Sequence, residues 1–326
     1  MSTRRSRHAL LASTAGRAAL SSSSSSTTAA AVKVSPQDAL AYCRDLVRKH
    51  DYDHYLCGLL YPRNVRDGYW ALRSLFIELS LIRDVVSESH IGQMRLQFWR
   101  DAIEQLFSGG PPRQHPVLVA IAHTLTASMA HGGKPAVSAS WIKRIISERE
   151  KDLVQPFYRT VADLENYAEA THASAIYLQL ELLGIRSVAA DHTASHIGKS
   201  YGIVTLLRAT PYHASKRVSY LPSELFAKHG ASEEDMFRQG PSAKGINDVV
   251  YDLASTAHGH LEIANKHIEE DKLPSPSITA MLAAVPARAY LKQLQKEHFN
   301  AFSGSLATRP WQLPWWLYKA HWQHRF

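Results

Sequence analysis

Apolar residues recur along most of this chain at spacings of three and four, the period of one buried helix face. Tyr69, Leu72, Phe76, Leu79 and Ile82 form one such stripe in a helix predicted from Pro62 to Val86. Met94, Phe98, Ala102 and Leu106 form another in a helix from Gly92 to Phe107. Ser35-Pro36, a capping serine before a proline, opens a helix to about Lys49. His115-Pro116 opens one to about Ala130, and Ser138 stands where it caps Ala139 to Val154. Thr160 with Asp163 reads as a capping box for a long helix to Leu183, stopped by Gly184. Further helices are expected from about Ala189 into Gly202, at Pro222, over Ile246 to Glu270 and over Ala289 to Phe302, with a break at Pro211. Alternating β patterns and Asn-Gly hairpin signals are almost absent. The prediction is all-α, about ten helices in one domain, with no repeat at solenoid periods.

The 326 residues suffice for a large core, and 45% apolar with 20% charged residues is an ordinary globular balance. The formal charge of +8 sits mostly at the N-terminus. Arg4, Arg5, Arg7, Arg17 and Lys33 precede the first acid, Asp38; without them 32 Lys and Arg face 29 acids. A nucleic-acid-binding body is therefore not expected. Residues 1–34, rich in Arg and Ser and free of acids, have the composition of a mitochondrial transit peptide rather than a secretory signal. No apolar run of about 18 residues predicts a membrane span. Cys43 and Cys57 read as small core residues.

The segment Tyr201 to Pro222, YGIVTLLRATPYHASKRVSYLP, carries the strongest constraint. Arg208 ends an apolar run, and a buried guanidinium is costly without an anion or carbonyl beside it. The end of the Pro62–Val86 helix, Arg83-Asp84-Val85-Val86-Ser87-Glu88, is the expected source of that partner. The two helix ends then face one cavity. An all-α enzyme acting on diphosphates needs Mg²⁺ held by carboxylates, commonly at i and i+4 on each facing helix. Here Asp84 and Glu88 have that spacing beside Arg83, while the second wall offers Arg208, Ala209 and His213.

ALRSLFIELSLIRDVVSE followed by GQMRLQFWRDAIEQLFSG resembles the first signature of the squalene/phytoene synthase family, an aromatic helix running into Asp-Asp-x-x-Asp-Glu and then Arg-Leu-x-Trp-Trp-Arg. The Tyr201–Pro222 segment resembles the second signature, and YAEATHASAIYLQLELLG the helix between them. The likeness runs from Ser35 to Phe302 and implies an isoprenoid-synthase-like bundle around a central cavity. The first motif's three aspartates fall on Arg83, Asp84 and Ser87, and the second motif's two on Ala209 and His213. Arg208, Tyr220 and Pro222 match, whereas glycines of the middle helix are replaced by Ala173 and Ile176. The wording Arg-Asp-Val-Val-Ser-Glu-x-x-Ile-Gly-Gln-Met-Arg-Leu-Gln-Phe-Trp is similar to a branch of the family that serves early assembly of mitochondrial respiratory complex I.

The resemblance implies a catalytically decayed protein of the matrix, peripheral to the inner membrane. Its partners would be complex I subunits or other assembly factors, with a lipid or isoprenoid as a further candidate ligand, and no cofactor is implied. The alternative is an active prenyltransferase that condenses diphosphates in a non-standard metal site. Arg83, Asp84, Ser87, Glu88, Arg208, Ala209, His213 and Tyr220 are the vestigial diphosphate-site positions, none assigned a catalytic role. The plainer reading of Asp84 and Glu88 is a solvated helix end with Arg83 paired to Glu88. Arg208 either holds an anion or caps carbonyls at its helix end. His192 and His196 have metal-ligand spacing, and His213 follows, but no third ligand stands at a recognisable distance, so no metal is assigned. Trp311, Trp315, Trp316 and Trp322, with Lys319 and Arg325 among them, suit a membrane or partner contact, or else pack on the body. The expected division is a leader 1–34, a helical domain 35–303 and an aromatic tail 304–326.

Overall fold

A computed structural model describes residues 34–326 except 87, 131–136, 156 and 272. The leader and Ser87 therefore lie outside the described residues. The described residues are helical with no strand. In order they form α1 (Pro36–His50), α2 (Tyr52–Gly58), α3 (Arg63–Val85), α4 (Ser89–Phe107), α5 (Pro116–Ala130), α6 (Ala139–Val154), α7 (Val161–Ala168), a π-turn (Glu169–Ala173) and α8 (Ser174–Leu182). Then come α9 (Val188–Ser215), α10 (Ser223–His229), α11 (Glu233–Gln239), α12 (Ile246–Glu270), α13 (Ser277–Met281), α14 (Ala284–Lys296) and α15 (Leu313–Gln323). Val34–Phe326 forms one compact unit.

α9 is the axis. It is apolar around most of its circumference and packs on α7, the π-turn, α8, α12, α13 and α14. Gly198 permits the closest approach: a Cβ there would stand 2.4 Å from Ala173 Cα. Ala173 therefore presses on the α9 backbone. Ile176, the other position where the family has glycine, is a buried core side chain.

Local signals account for many boundaries. Thr160 and Asp163 close a reciprocal capping box at α7, and Gly184, at φ 73°, follows α8. Pro211 does not break α9, which continues to Ser215. A proline removes one N–H and crowds the preceding turn, but only one turn remains beyond it, and the buried residues on both sides hold the helix together. The α4 stripe is also corrected. Leu96, Trp99, Ala102, Ile103 and Leu106 are buried, whereas Met94 is 70% exposed. α14 begins before the expected Ala289 and ends at Lys296. Ser138 makes no cap bond to α6; its N–H and hydroxyl donate to Glu181 at 2.8 and 2.7 Å.

Between α3, α6, the π-turn and α9 the interior is filled by charged and aromatic side chains. Arg73 and Arg149 approach the Phe76 ring at 4.6 and 5.3 Å from its centroid. Arg73 donates to Asp51, and Arg149 to the Tyr167 hydroxyl. His54 links the Asp51 carboxylate, at 3.0 Å, to the Tyr201 hydroxyl, at 3.3 Å. His172 lies edge-on to Phe76 and Tyr201, its Nδ1 buried without a partner. Burial, then the charges of Arg149 and Arg73, hold His172 well below the ordinary imidazole pKa.

Two outcomes are expected. Asp51→Ala strands the buried Arg73 cation and lowers unfolding free energy in urea by about 3–5 kcal/mol; a loss under 1 kcal/mol, on the order of an exposed pair, contradicts this role. The second concerns pH. An unfolded imidazole takes a proton near about 6.5, whereas folded His172 does not, so the unfolded state binds more protons below that value. Stability therefore falls on acidification below about 6.5, and His54, lowered by burial and by Arg73, adds to the slope. His172→Asn shallows the decline in urea midpoint between about pH 7 and 5; an unchanged slope excludes His172 as a source.

Candidate functional site

α2 is short, and its first turn is closed by the carboxylate of Asp51, which accepts the His54 N–H at 3.4 Å. The next acid, Asp53, is 3% exposed. One of its oxygens accepts from Arg208 Nη1 at 2.9 Å, and the other accepts from Arg309 Nε. Arg208 comes from α9, and Arg309 from the segment that follows a 3₁₀ turn at Gly304–Ala307. A buried carboxylate is tolerable when paired and hydrogen-bonded, and two guanidiniums supply both conditions. Two cations against one anion leave net positive charge beside a cleft of about 140 Å³, which Tyr290 and Gln293 also line. The Tyr290 hydroxyl is buried without a partner.

The expected partner of Arg208 at the end of α3 is thus replaced by Asp53 on α2, 155 residues away in sequence. Arg208 does not stand at a helix C-terminus, because α9 continues for seven residues beyond it.

The end of α3 differs from the expectation in a second way. α3 ends at Val85, Val86 is extended, and Glu88 is the extended N-cap of α4. Asp84 and Glu88 are therefore not one turn apart on a single helix; both are exposed. Arg83 does not pair with Glu88. It donates to the Asp152 carbonyl at 3.0 Å, lies 3.1 Å from the Asp152 carboxylate, and covers the Tyr220 ring at 4.9 Å. Tyr220 meets His213 edge-on at 4.6 Å. The ends of α3 and α9 are thus brought together through Arg83, Tyr220 and His213. His213 is shifted below the usual imidazole value by burial, although Asp84 pulls the other way. Ala209 is half-buried beside it and supplies no ligand atom.

Mg²⁺ favours oxygen ligands, and the second wall carries no carboxylate at either motif position. Among the described residues, no group of three or more His, Cys, Asp or Glu stands where it could hold a metal ion. The enclosed void behind Arg73, lined by Leu72, Phe76, Leu79, Ile142 and Leu178, holds about 10 Å³, the scale of a single water and far from that of a prenyl chain. The arrangement can bind an anion weakly at Arg208 and Arg309. It lacks a preformed carboxylate clamp for a metal–diphosphate.

α15 is not among the helices the sequence pattern predicts. Pro314 occupies its first turn, where the missing N–H is no loss. Leu313, Leu317 and Ala320 pack with Leu56, Cys57, Leu282 and Val285. Trp311, Trp315 and Trp322 are 84%, 64% and 72% exposed, and Trp316 sits at the margin of exposure. The segment therefore docks through Leu313, Leu317 and Ala320 rather than through its tryptophans, of which Trp311, Trp315 and Trp322 point outward. No described helix is long and apolar enough to cross a membrane.

Asp53, Arg309, Asp51, Arg73 and Asp152 were missed as site residues. Their only local signal was charge, on helices, at a cap and in a loop, and charge alone names no partner.

The squalene/phytoene synthase family pattern matches residues 47–316. A Rattus norvegicus protein named "NADH dehydrogenase (ubiquinone) complex I, assembly factor 6" is 44% identical over 289 residues, 89% of this chain and 84% of that protein. A Homo sapiens protein of the same name is 42% identical over 285 residues, 87% of this chain and 82% of that one. The crystal structure of a squalene synthase from Alicyclobacillus acidocaldarius is similar in fold, with a TM-score of 0.69 at 15% identity over 82% of this chain and 97% of that one. The helix order, the two facing motif ends and this extent of likeness agree, and the chain belongs to the squalene/phytoene synthase family.

Proposed function

We propose that the protein is an assembly factor for respiratory complex I, acting at an early stage through its surface, and that it does not condense prenyl diphosphates. The observation that carries the second half is Asp53. A diphosphate leaving group needs cations on it, and here the carboxylate of the chain itself occupies Arg208 and Arg309. Arg83 is likewise engaged by Asp152, and the remaining carboxylates at the motif ends, Asp84 and Glu88, stand in solvent. The first half follows from the 42–44% identity to proteins named for that role. The positions Arg83, Asp84, Ser87, Glu88, Arg208, Ala209, His213 and Tyr220 are proposed as the remnant of a diphosphate site. Complex I subunits or other assembly factors are the proposed partners.

The leader 1–34 is proposed to direct the chain to mitochondria. The body 35–303 and tail 304–326 would then lie in the matrix, on the inner membrane. The support for attachment is the tryptophan face of α15, with Lys319 among the tryptophans and no acid from Thr308 to Phe326, although Arg325 is paired with Glu269. Indole rings favour the headgroup layer, and cations favour anionic lipids.

In cells lacking the protein, wild type and Asp84→Ala restore assembled complex I on native gels equally. The purified chain with farnesyl and geranylgeranyl diphosphates, Mg²⁺ or Mn²⁺, and NADPH releases no diphosphate above a blank. Metal-dependent release that disappears in Asp84→Ala overturns the reading in favour of the prenyltransferase. Failure of wild type to restore the complex overturns the assembly role.

Fractionation tests the location. Wild type sediments with mitochondrial membranes and is released by alkaline carbonate, and a chain with both Trp315→Ala and Trp316→Ala shifts to the soluble matrix. Deleting residues 1–30 leaves it in the cytosol. Retention of wild type after carbonate, or unchanged behaviour of either variant, contradicts the corresponding assignment.

A further inference from the structure

The cleft beside Asp53 is lined by donors that the chain itself leaves unused. Arg208 spends Nη1 on one Asp53 oxygen, and Arg309 spends Nε on the other. Their remaining N–H groups make no hydrogen bond to the described residues. The two side chains are 43% and 41% exposed, and both line the cleft. The Tyr52 ring holds the Arg309 guanidinium from one face, with its centroid at 4.9 Å. Tyr290, 6% exposed, lines the same cleft, and its hydroxyl is buried with no partner. Burial pushes the pKa of this phenol up and the Arg208 charge pulls it down, which places the hydroxyl in the field of that guanidinium. A buried hydroxyl without an acceptor is costly, so an acceptor brought in by a ligand is favoured. Gln293 and Thr308 donate to the Ser305 carbonyl at 2.6 and 2.7 Å, and so build the rim.

We propose that this cleft binds a free, small monocarboxylate, held by Arg208, Arg309 and the Tyr290 hydroxyl. The charge selects it. Two guanidiniums and the Asp53 carboxylate sum to one positive charge. A second carboxylate makes two cations face two anions, and each planar guanidinium fork matches a carboxylate. A phosphate group carries about 1.5–2 negative charges near neutral pH and leaves an excess beside buried Asp53. The other walls select size. Pro286, Ala289, Leu306 and Leu313 are apolar and suit a short aliphatic end rather than a second charge. The volume of about 140 Å³ is roughly ten times what one water needs, yet below the about 300–1,000 Å³ of pockets for drug-sized ligands. Binding here rests on the same Asp53 contacts that argue against condensation, but neither the assembly role nor the absence of diphosphate release depends on it.

The test titrates the full chain against propionate, N-acetylalanine, phosphate and pyrophosphate, with binding read from broadening of each ligand's NMR signals. Propionate saturates in the millimolar range, as so few atoms allow, and binds about tenfold tighter than phosphate. Tyr290→Phe removes a hydroxyl that holds nothing in the chain; it keeps the urea midpoint and weakens propionate about tenfold. Arg309→Gln weakens it at least as much. Asp53→Asn raises the site to two positive charges and reverses the order, so that phosphate binds the tighter. Circular dichroism reports whether each variant folds, and Tyr290→Phe decides alone if the other two do not. N-acetylalanine carries the carboxylate of a chain end on a larger body, and tighter binding of it than of propionate overturns a free acid as the occupant. No saturable binding of propionate, tighter binding of phosphate or pyrophosphate to wild type, or unchanged propionate affinity in Tyr290→Phe overturns the proposal. Restored complex I and absent diphosphate release stand whichever way this titration falls.

Discussion

Two carboxylates at the start of one seven-residue helix, its N-cap Asp51 and Asp53 in its first turn, hold three guanidiniums from three distant parts of the chain. Asp51 pairs with Arg73 of α3, and Asp53 pairs with both Arg208 of α9 and Arg309 of the C-terminal segment. Neither aspartate could be buried without these cations, and Arg73 could not be buried without Asp51. α2 therefore acts as an electrostatic clasp. Its far end, Leu56 and Cys57, continues the same job by apolar contact, receiving α15.

The clasp also decides what the interior can do. In an enzyme acting on diphosphates, cations between facing helices wait for an anionic substrate. Here they meet a carboxylate of the chain, and the space between α3, α6 and α9 is occupied by Phe76, Arg149, Tyr167, His172 and Tyr201. Close helix contact at Gly198 and Ala173 adds to the filling. A packed interior of this kind favours work done by surfaces, which agrees with the assembly role proposed from the named relatives.

The outward-facing groups then carry the interest. α15 buries Leu313, Leu317 and Ala320 and turns its tryptophans out, so its orientation is set by the core and its exposed face is left for a lipid or partner. On the other long pairing, α9 with α12, the exposed edge is imidazole and carboxylate rather than aromatic. The two surfaces differ in chemistry, indole rings on one and imidazole with carboxylate on the other.

The amino-acid sequence by itself determined the helical class, most helix boundaries and the two motif ends, because periodicity, caps and prolines act over a few residues. Thr160 with Asp163, Gly184 and the Tyr69–Ile82 stripe were legible for that reason. It also located Arg208 as a residue in need of an anion. Which anion was decided by tertiary structure alone: Asp53 is 155 residues away, and a Coulomb partner leaves no local pattern. The same reason hid Asp152 from Arg83. The spacing of Asp84 and Glu88 misled, because i and i+4 place two side chains on one face only inside an unbroken helix, and the chain bends between them. Likewise His192 and His196 stand on one face in the sequence, but only the packing of α12 brings His260 and His267 beside them.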